Sequence, residues 1–436
     1  MKMKSMQKTV VILLMAMTAA TGSFARQNQY RKIKSAAEQI RDIHPAADRS
    51  DLYLPLLKGK RIAVFANHTS TIGTQNLVDS LHKLGVDIKV VFGPEHGFRG
   101  TADAGEKVGN YTDAATGIPV VSLYGSKRRP SKEDLRGVDL MLFDIQDVGT
   151  RFYTYISSLE EYMAAAFENK IPLIILDRPN PNGFYVDGPV LDTTYRSFVG
   201  MQRVPIVYGM TIGEYARMVA GEKWIKEASV RGGVVTEILD TWHDLGMITK
   251  KATPYRMIIV PCNGYDHSKK YVLPVKPSPN LPDIQSIYCY PSTCFFEGTV
   301  LSEGRGTPKP FQLFGHPSLP NSLQSFTPRG VPGATNPKLK DQLCYGWEIN
   351  GTPGEVLHQI DGKIQLKWLL EAYKLFPKKD SFFLTNGSFF NKLAGNSQLQ
   401  QQIKEGKTEA EIRASWEPAL SRFKTIRKKY LIYADF

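Results

Sequence analysis

Five short, almost wholly apolar runs occupy the first half of this sequence, and they leave few folds open. They are Arg61-Ile62-Ala63-Val64-Phe65-Ala66, Val86-Asp87-Ile88-Lys89-Val90-Val91-Phe92, Pro119-Val120-Val121-Ser122-Leu123, Asp139-Leu140-Met141-Leu142-Phe143 and Ile171-Pro172-Leu173-Ile174-Ile175-Leu176. Runs rich in Val, Ile and Leu with little polar alternation are strands buried on both faces, as in parallel sheets covered by helices. Helical stretches near residues 77–84 and 159–169, and a short helix that Ser131 would cap, fall between them. The pattern predicts an α/β fold built on a doubly wound parallel sheet.

Open parallel sheets bind ligands outside the carboxyl ends of their strands. Those ends are polar here: Asn67-His68, Glu95-His96, Tyr124-Gly125, Asp144-Ile145-Gln146-Asp147 and Asp177-Arg178-Pro179-Asn180. Carboxylates and amides recurring at one sheet edge point to a lined cleft. The densest stretch is Gly93-Pro94-Glu95-His96-Gly97-Phe98-Arg99-Gly100. Its glycines and proline fix an irregular path, and its three ionisable side chains are costly to assemble unless they bind or react with something. A second loop of the same kind follows at Phe296-Glu297-Gly298-Thr299-Val300-Leu301-Ser302-Glu303-Gly304-Arg305-Gly306-Thr307.

Lys2, Lys4 and Lys8 precede an apolar run at 9–20, and Ser23-Phe24-Ala25 supplies small residues where a signal peptidase reads. Residues 1–25 are therefore expected to be an export signal, cleaved after Ala25 to leave a periplasmic or secreted protein. The run is too short to span a bilayer, and no cysteine follows to carry a lipid, so stable membrane insertion is not expected. Removing three lysines and no acidic residue takes the formal charge from +13 to +10. A basic field favours polyanions such as cell-wall polymers. The basic residues are scattered apart from Lys127-Arg128-Arg129 and Arg427-Lys428-Lys429, without a nucleic-acid motif, so no nucleic-acid partner is expected.

A lead-in segment at 26–58, polar at first and expected to contain an exposed helix, precedes the sheet domain, expected at 59–250. Thr211 begins a capped helix. The second half, 251–436, is expected to open with the strand Arg256-Met257-Ile258-Ile259-Val260, pass through a proline-rich stretch at 273–282 and end in a long helix near 408–430 carrying Pro418. Cys262, Cys289, Cys294 and Cys344 form no Cys-x-x-Cys pair, and export leaves both disulfides and buried thiols open.

The chain lacks a Gly-x-Gly-x-x-Gly or Walker loop, a Gly-x-Ser-x-Gly elbow and a His-Glu-x-x-His pair, and no cofactor is expected. His68, His96, His267 and His316 fall in separate loops and are read as no metal set, although a metal-dependent esterase or deacetylase stays as an alternative. Carboxylates with arginines and aromatics suit glycoside hydrolysis, where one carboxyl group protonates the leaving oxygen and another group stabilises or attacks the anomeric carbon. A non-catalytic glycan-binding module is the other alternative.

Taken together, the 93–100 loop, Asp103-Ala104-Gly105-Glu106, Asp144-Ile145-Gln146-Asp147-Val148-Gly149-Thr150-Arg151-Phe152-Tyr153-Thr154-Tyr155, Asp177-Arg178-Pro179-Asn180-Pro181, Ser278-Pro279-Asn280 and Ser302-Glu303-Gly304-Arg305-Gly306-Thr307 closely resemble the exo-β-N-acetylmuramidase (NamZ) family. The resemblance runs from about Gly59 to the C-terminus. It implies a Rossmann-like domain, a smaller C-terminal α/β domain and a site in the cleft between them. It also implies release of N-acetylmuramic acid from the non-reducing ends of peptidoglycan fragments, which become the expected partners. The sequence departs from the family pattern at Gly264-Tyr265-Asp266-His267-Ser268, Asn280-Leu281-Pro282 and Gly315-His316-Pro317-Ser318, segments that bear on substrate preference.

On this reading Glu95 is the general acid, placed in a glycine-walled loop at a strand end. Glu303, Asp147 and Asp144 compete for the second catalytic role. Asn67, His96, Arg99, Asp144, Arg151, Tyr153, Asn180 and Arg305 are the candidate substrate-binding residues. Muramic acid carries a lactyl carboxylate that calls for a cation, and among Arg99, Arg151, Arg178 and Arg305 the reading favours Arg151 and Arg305.

Overall fold

The computed structural model describes residues 43–100, 103, 106, 108–229, 233–248 and 256–436. The expected export signal, the lead-in up to residue 42, Ala104 and Gly105 of one motif, and the expected boundary at 250 lie outside the described residues. In chain order the strands are β1 (Arg61–Ala66), β2 (Thr71–Ile72), β3 (Gln75–Asn76), β4 (Asp87–Gly93), β5 (Tyr111–Thr112), β6 (Pro119–Ser122), β7 (Leu140–Asp144), β8 (Leu173–Leu176), β9 (Val235–Ile238), β10 (Arg256–Val260), β11 (Leu313–His316), β12 (Gln324–Phe326) and β13 (Cys344–Glu348).

Eight of them form one sheet in the order β5-β6-β4-β1-β7-β8-β10-β9. Every pairing is parallel except that of β5 with β6. The apolar runs fill both faces of this sheet. Ala63 and Phe65 face one side, where Phe65 stacks on Phe143 at 5.0 Å and meets the edge of Tyr162 at 5.3 Å. Ile62, Val64 and Ala66 face the other, against Leu77, Val78 and Leu81 of the helix Leu77–Lys83. The helix Tyr155–Glu168 is fixed on the first face by Tyr162, whose hydroxyl donates to the Ala63 carbonyl at 3.0 Å. The predicted doubly wound sheet is thus present, with each expected strand displaced by two residues at most.

Three local expectations come out differently. The strand Arg256–Val260 does not begin a second sheet; as β10 it lies between β8 and β9, with Ile258 opposite Ile174. A buried apolar run carries no mark of which sheet it joins. Ser131 does not start a helix: its amide donates to Asp134 at 2.6 Å, but the turns end at Gly137, whose φ of +75° stops propagation. The lead-in helix, Ser50–Leu57, is not an exposed one, because Leu52, Tyr53 and Leu57 are buried.

The C-terminal part holds the antiparallel sheet β11-β13-β12 and helices that include Ile284–Thr293 and Glu409–Lys428. The last is capped reciprocally by Thr408 and Glu411 and contains Pro418. Phe152, which follows β7, packs against Tyr290 at 5.3 Å and Phe295 at 6.2 Å, so one apolar core joins both parts of the chain. The four cysteines are free and buried. No helix among the described residues is long and apolar enough to cross a membrane.

Candidate active site

The 93–100 loop leaves β4 as two tight turns, with the Gly97 amide donating to the Pro94 carbonyl at 3.0 Å and the Gly100 amide to Gly97 at 3.2 Å. Glycine is required at 100: φ is +71°, and a Cβ there would sit 2.1 Å from His68 Nδ1. Phe98 plugs into the core beneath the loop. Arg99 crosses its ring at 4.4 Å and donates to Asp113 at 2.7 and 2.9 Å and to Asp79 at 2.9 and 3.0 Å. That guanidinium braces the loop against Asp79 and Asp113. What the loop presents outward is Glu95, half-buried, and His96, held at φ +68°.

Glu95 and His96 line a cavity of about 390 Å³ together with Tyr124, Arg128, Tyr153, Asn280, Tyr290, Glu297, Arg305 and several apolar side chains. Tyr124 lies beside Glu95, and burial together with that carboxylate pushes the phenol up to about 12. The Tyr153 hydroxyl is buried in the same wall, and its ring meets the edge of Tyr155 at 4.8 Å. A second cavity, of about 530 Å³, is lined by Asp103, Glu106, Glu297, Glu303, Arg305, Lys338 and the 333–337 segment. Glu297, Arg305 and Phe389 belong to both, so the two cavities meet at these side chains.

Arg305, between Gly304 and Gly306 at φ +82° and +78°, pairs with Glu297 at 2.8 Å and lies 3.6 Å from Glu303. Glu303 is almost wholly buried and faces Lys338 at 3.1 Å, while the Lys338 ammonium donates to the carbonyls of Phe296, Thr299 and Leu301. Burial pushes both carboxyl groups up. For Glu303 the charges of Lys338 and Arg305 outweigh it and hold the group below the usual range; for Glu297 burial, reinforced by Glu303, prevails over Arg305. Two neighbouring carboxyl groups driven in opposite directions is the pattern of an acid beside a permanent carboxylate.

The other nominated residues stand behind the wall or away from it. Asn67 is fully buried, accepts from the Thr69 amide and hydroxyl, and donates to the Tyr155 hydroxyl at 3.0 Å. Asp144 and Arg178 form a buried two-pronged ion pair at 2.5 and 2.8 Å. Asp147 takes the Gly149 amide at 2.6 Å and the Tyr208 hydroxyl, and burial raises it to about 6. Asn180 donates to the Met210 carbonyl at 2.7 Å and packs against Gly149. Arg151 is buried, with its guanidinium on the carbonyls of Pro189, Val204 and Leu393. None of these lines either cavity. The strand-end rule located the cleft but could not separate side chains that face it from those that brace it.

His68 lies near His96, whereas His267 is buried against Glu214 at 2.9 Å and His316 packs on Phe376 at 5.0 Å. Among the described residues no three His, Cys, Asp or Glu side chains converge on a point that could hold a metal. Glu297 and Tyr124 were in plain sight in the sequence but not nominated. The available signals were the glycine after Glu297 and the position of Tyr124 just beyond a strand end.

Comparison with known proteins finds two family models that match consecutively: "Exo-beta-N-acetylmuramidase NamZ, N-terminal" over residues 62–285 and its C-terminal counterpart over 288–433. A curated relative, the peptidoglycan beta-N-acetylmuramidase NamZ of Bacillus subtilis (strain 168), is 39% identical over 456 residues, covering 98% of this chain and 100% of the relative. Two crystal structures of DUF1343 family proteins from Bacteroides fragilis NCTC 9343 share the fold. One is 41% identical with a TM-score of 0.77, over 91% of this chain and 100% of the other. The second is 25% identical with a TM-score of 0.73, over 90% and 99%.

Proposed function

The chain belongs to the exo-β-N-acetylmuramidase NamZ family, and on that premise we propose that it is a glycosidase that releases N-acetylmuramic acid from the non-reducing ends of peptidoglycan fragments. The observation that carries this reading is that two carboxyl groups, Glu95 and Glu297, face one aromatic-lined cavity from opposite halves of the chain. The terminal sugar occupies that cavity and the remainder of the glycan extends past Arg305 into the second one. The glycosidic oxygen then lies at the junction, beside Glu297.

Glu297 faces both cavities and burial favours its protonated form, so it donates the proton to the leaving oxygen. Glu95, on the sugar side alone, stabilises the positive charge that develops at the anomeric carbon. This exchanges the role expected for Glu95 from sequence and replaces Glu303 and Asp147 as its partner. Glu303 and Lys338 instead hold Arg305 in place. The basic-then-apolar leader ending at Ala25 supports export to where such fragments occur, and a mature N-terminus at Arg26 is its check.

Incubation with a muramic acid–glucosamine disaccharide and product analysis tests the activity. Free N-acetylmuramic acid is expected. Binding without release would leave a glycan-binding protein, and release of acetate with the glycosidic bond intact would point to a deacetylase.

A further inference from the structure

The lactyl group is what separates muramic acid from glucosamine, and its carboxylate needs a cation. The four arginines of the motif loops are all engaged elsewhere: Arg99 on Asp79 and Asp113, Arg178 on Asp144, Arg151 on three carbonyls, and Arg305 on Glu297 and Glu303. Lys338, the other cation there, is engaged too, on Glu303 and on the carbonyls of Phe296, Thr299 and Leu301.

One further arginine lines the Glu95 cavity. Arg128 belongs to the basic run Lys127-Arg128-Arg129 and reaches the cavity rim, where it is exposed. Its two neighbours are spent, Lys127 on Asp134 and Arg129 on Glu161 and Glu227. Arg128 has no carboxylate partner among the described residues. Its guanidinium lies 3.9 Å from the centre of the Phe198 ring, and Nε donates to the Gly125 carbonyl at 3.2 Å. Stacking occupies the face of the guanidinium and Nε fixes its rotation, which leaves the terminal N–H groups without acceptors among the described residues. That is the presentation a carboxylate takes with two parallel hydrogen bonds. Arg128, Tyr124 and Glu95 line the same cavity, so this cation stands on the side where the terminal sugar is placed.

We propose that Arg128, braced on Phe198, is the specificity-determining residue that receives the carboxylate of the substituent on O3 of the terminal muramic acid. The inference rests on the functional reading above and assigns to it the recognition of the acid. Phe198 acts through Arg128 as a positioning residue.

The test compares wild-type, Arg128→Met and Arg128→Lys on nitrophenyl β-glycosides of N-acetylmuramic acid, of its lactyl amide and of N-acetylglucosamine. Calorimetric binding of the free sugars gives the same comparison without turnover. Arg128 is exposed, so the variants should keep the wild-type unfolding transition. The expected result is a roughly 10- to 100-fold loss in kcat/KM for Arg128→Met on the acid, the range of a charge-assisted hydrogen bond, with little change on the amide or the glucosamine analogue. Arg128→Lys should recover part of the loss. Equal losses on all three compounds, or none, would overturn the assignment while leaving the glycosidase reading standing. A wild-type protein that neither binds nor cleaves the muramic acid compounds would remove that reading and this one together.

Discussion

Glu297 and Arg305 meet at 2.8 Å on a wall shared by two cavities, and the carboxyl group is pushed up by its burial in spite of the cation. A proton donor at that junction is needed most when the leaving group is poor. Glu297→Gln should therefore lose about 10²- to 10⁴-fold on a glucosamine leaving group and recover much of that on an activated dinitrophenyl glycoside. Glu95→Gln should be impaired on both, because charge at the anomeric carbon must be stabilised whatever departs. Rescue of Glu95→Gln by the activated leaving group, and not of Glu297→Gln, would reverse the two roles.

Stability should depend on pH through Glu160. This carboxyl group is buried in the helix Tyr155–Glu168, accepts from Tyr215 and Gln202 at 2.6 Å each, and burial raises it to about 7 from an ordinary 4.5. The folded state holds its proton more tightly than the unfolded chain. Its contribution is thus complete below about pH 4.5 and is lost as pH rises through about 7, a change on the order of 3 kcal/mol. Asp147 and Asp177, each raised to about 6 by burial, act in the same direction. Urea midpoints should fall between pH 5 and pH 7.5 for the wild type and fall less for Glu160→Gln, in which Gln202 can turn its amide over to keep both hydrogen bonds.

The sheet was legible because burial on both faces writes itself as an unbroken apolar run, as in Arg61–Ala66 and Leu173–Leu176. Position along the sheet was not, because β10 pairs by hydrogen bonds that any apolar strand could make. At the cleft the same limit falls on polar residues. Glu95, His96, Tyr153 and Arg305 reach a cavity, while Asp144, Asp147, Asn180 and Arg151 turn inward from equally polar strand ends. A carboxylate bracing a loop and one facing substrate have the same sequence signature. Only the partner across space, Arg178 for Asp144 and Tyr208 for Asp147, tells them apart.

Arg99 illustrates the bracing class. Arg99→Met removes the donors that hold Asp113, which is nearly buried, and frees the turn that carries Glu95. The expected cost is about 1–3 kcal/mol for leaving a buried acceptor unpaired, read as a lower urea midpoint. Activity should fall in kcat, equally for muramic acid and glucosamine glycosides. An Asp113→Asn variant should lower the midpoint in the same direction, and a selective loss on the muramic acid compound in Arg99→Met would return Arg99 to the substrate-binding set.

Arg151 gives the sharpest contrast with Arg128. Its guanidinium is fully buried, Gly200 and Gly395 clear space around it, and its donors run to Pro189, Val204 and Leu393 at 2.9, 2.7 and 2.8 Å. No carboxylate pairs with it among the described residues, and burial pushes the group down to about 9. The Leu393 contact ties the segment after β7 to the helix Ser388–Ala394, so the bond crosses between the two parts of the chain. Arg151→Met should cost about 3 kcal/mol or more, since several buried carbonyls lose a charged donor at once. Arg151→Lys should rescue little, because one ammonium cannot span the same fork. Both variants should lose muramic acid and glucosamine turnover in equal proportion at temperatures where they remain folded. A selective loss of the muramic acid substrate in a variant of undiminished urea midpoint would mean that this buried arginine reads the substrate after all.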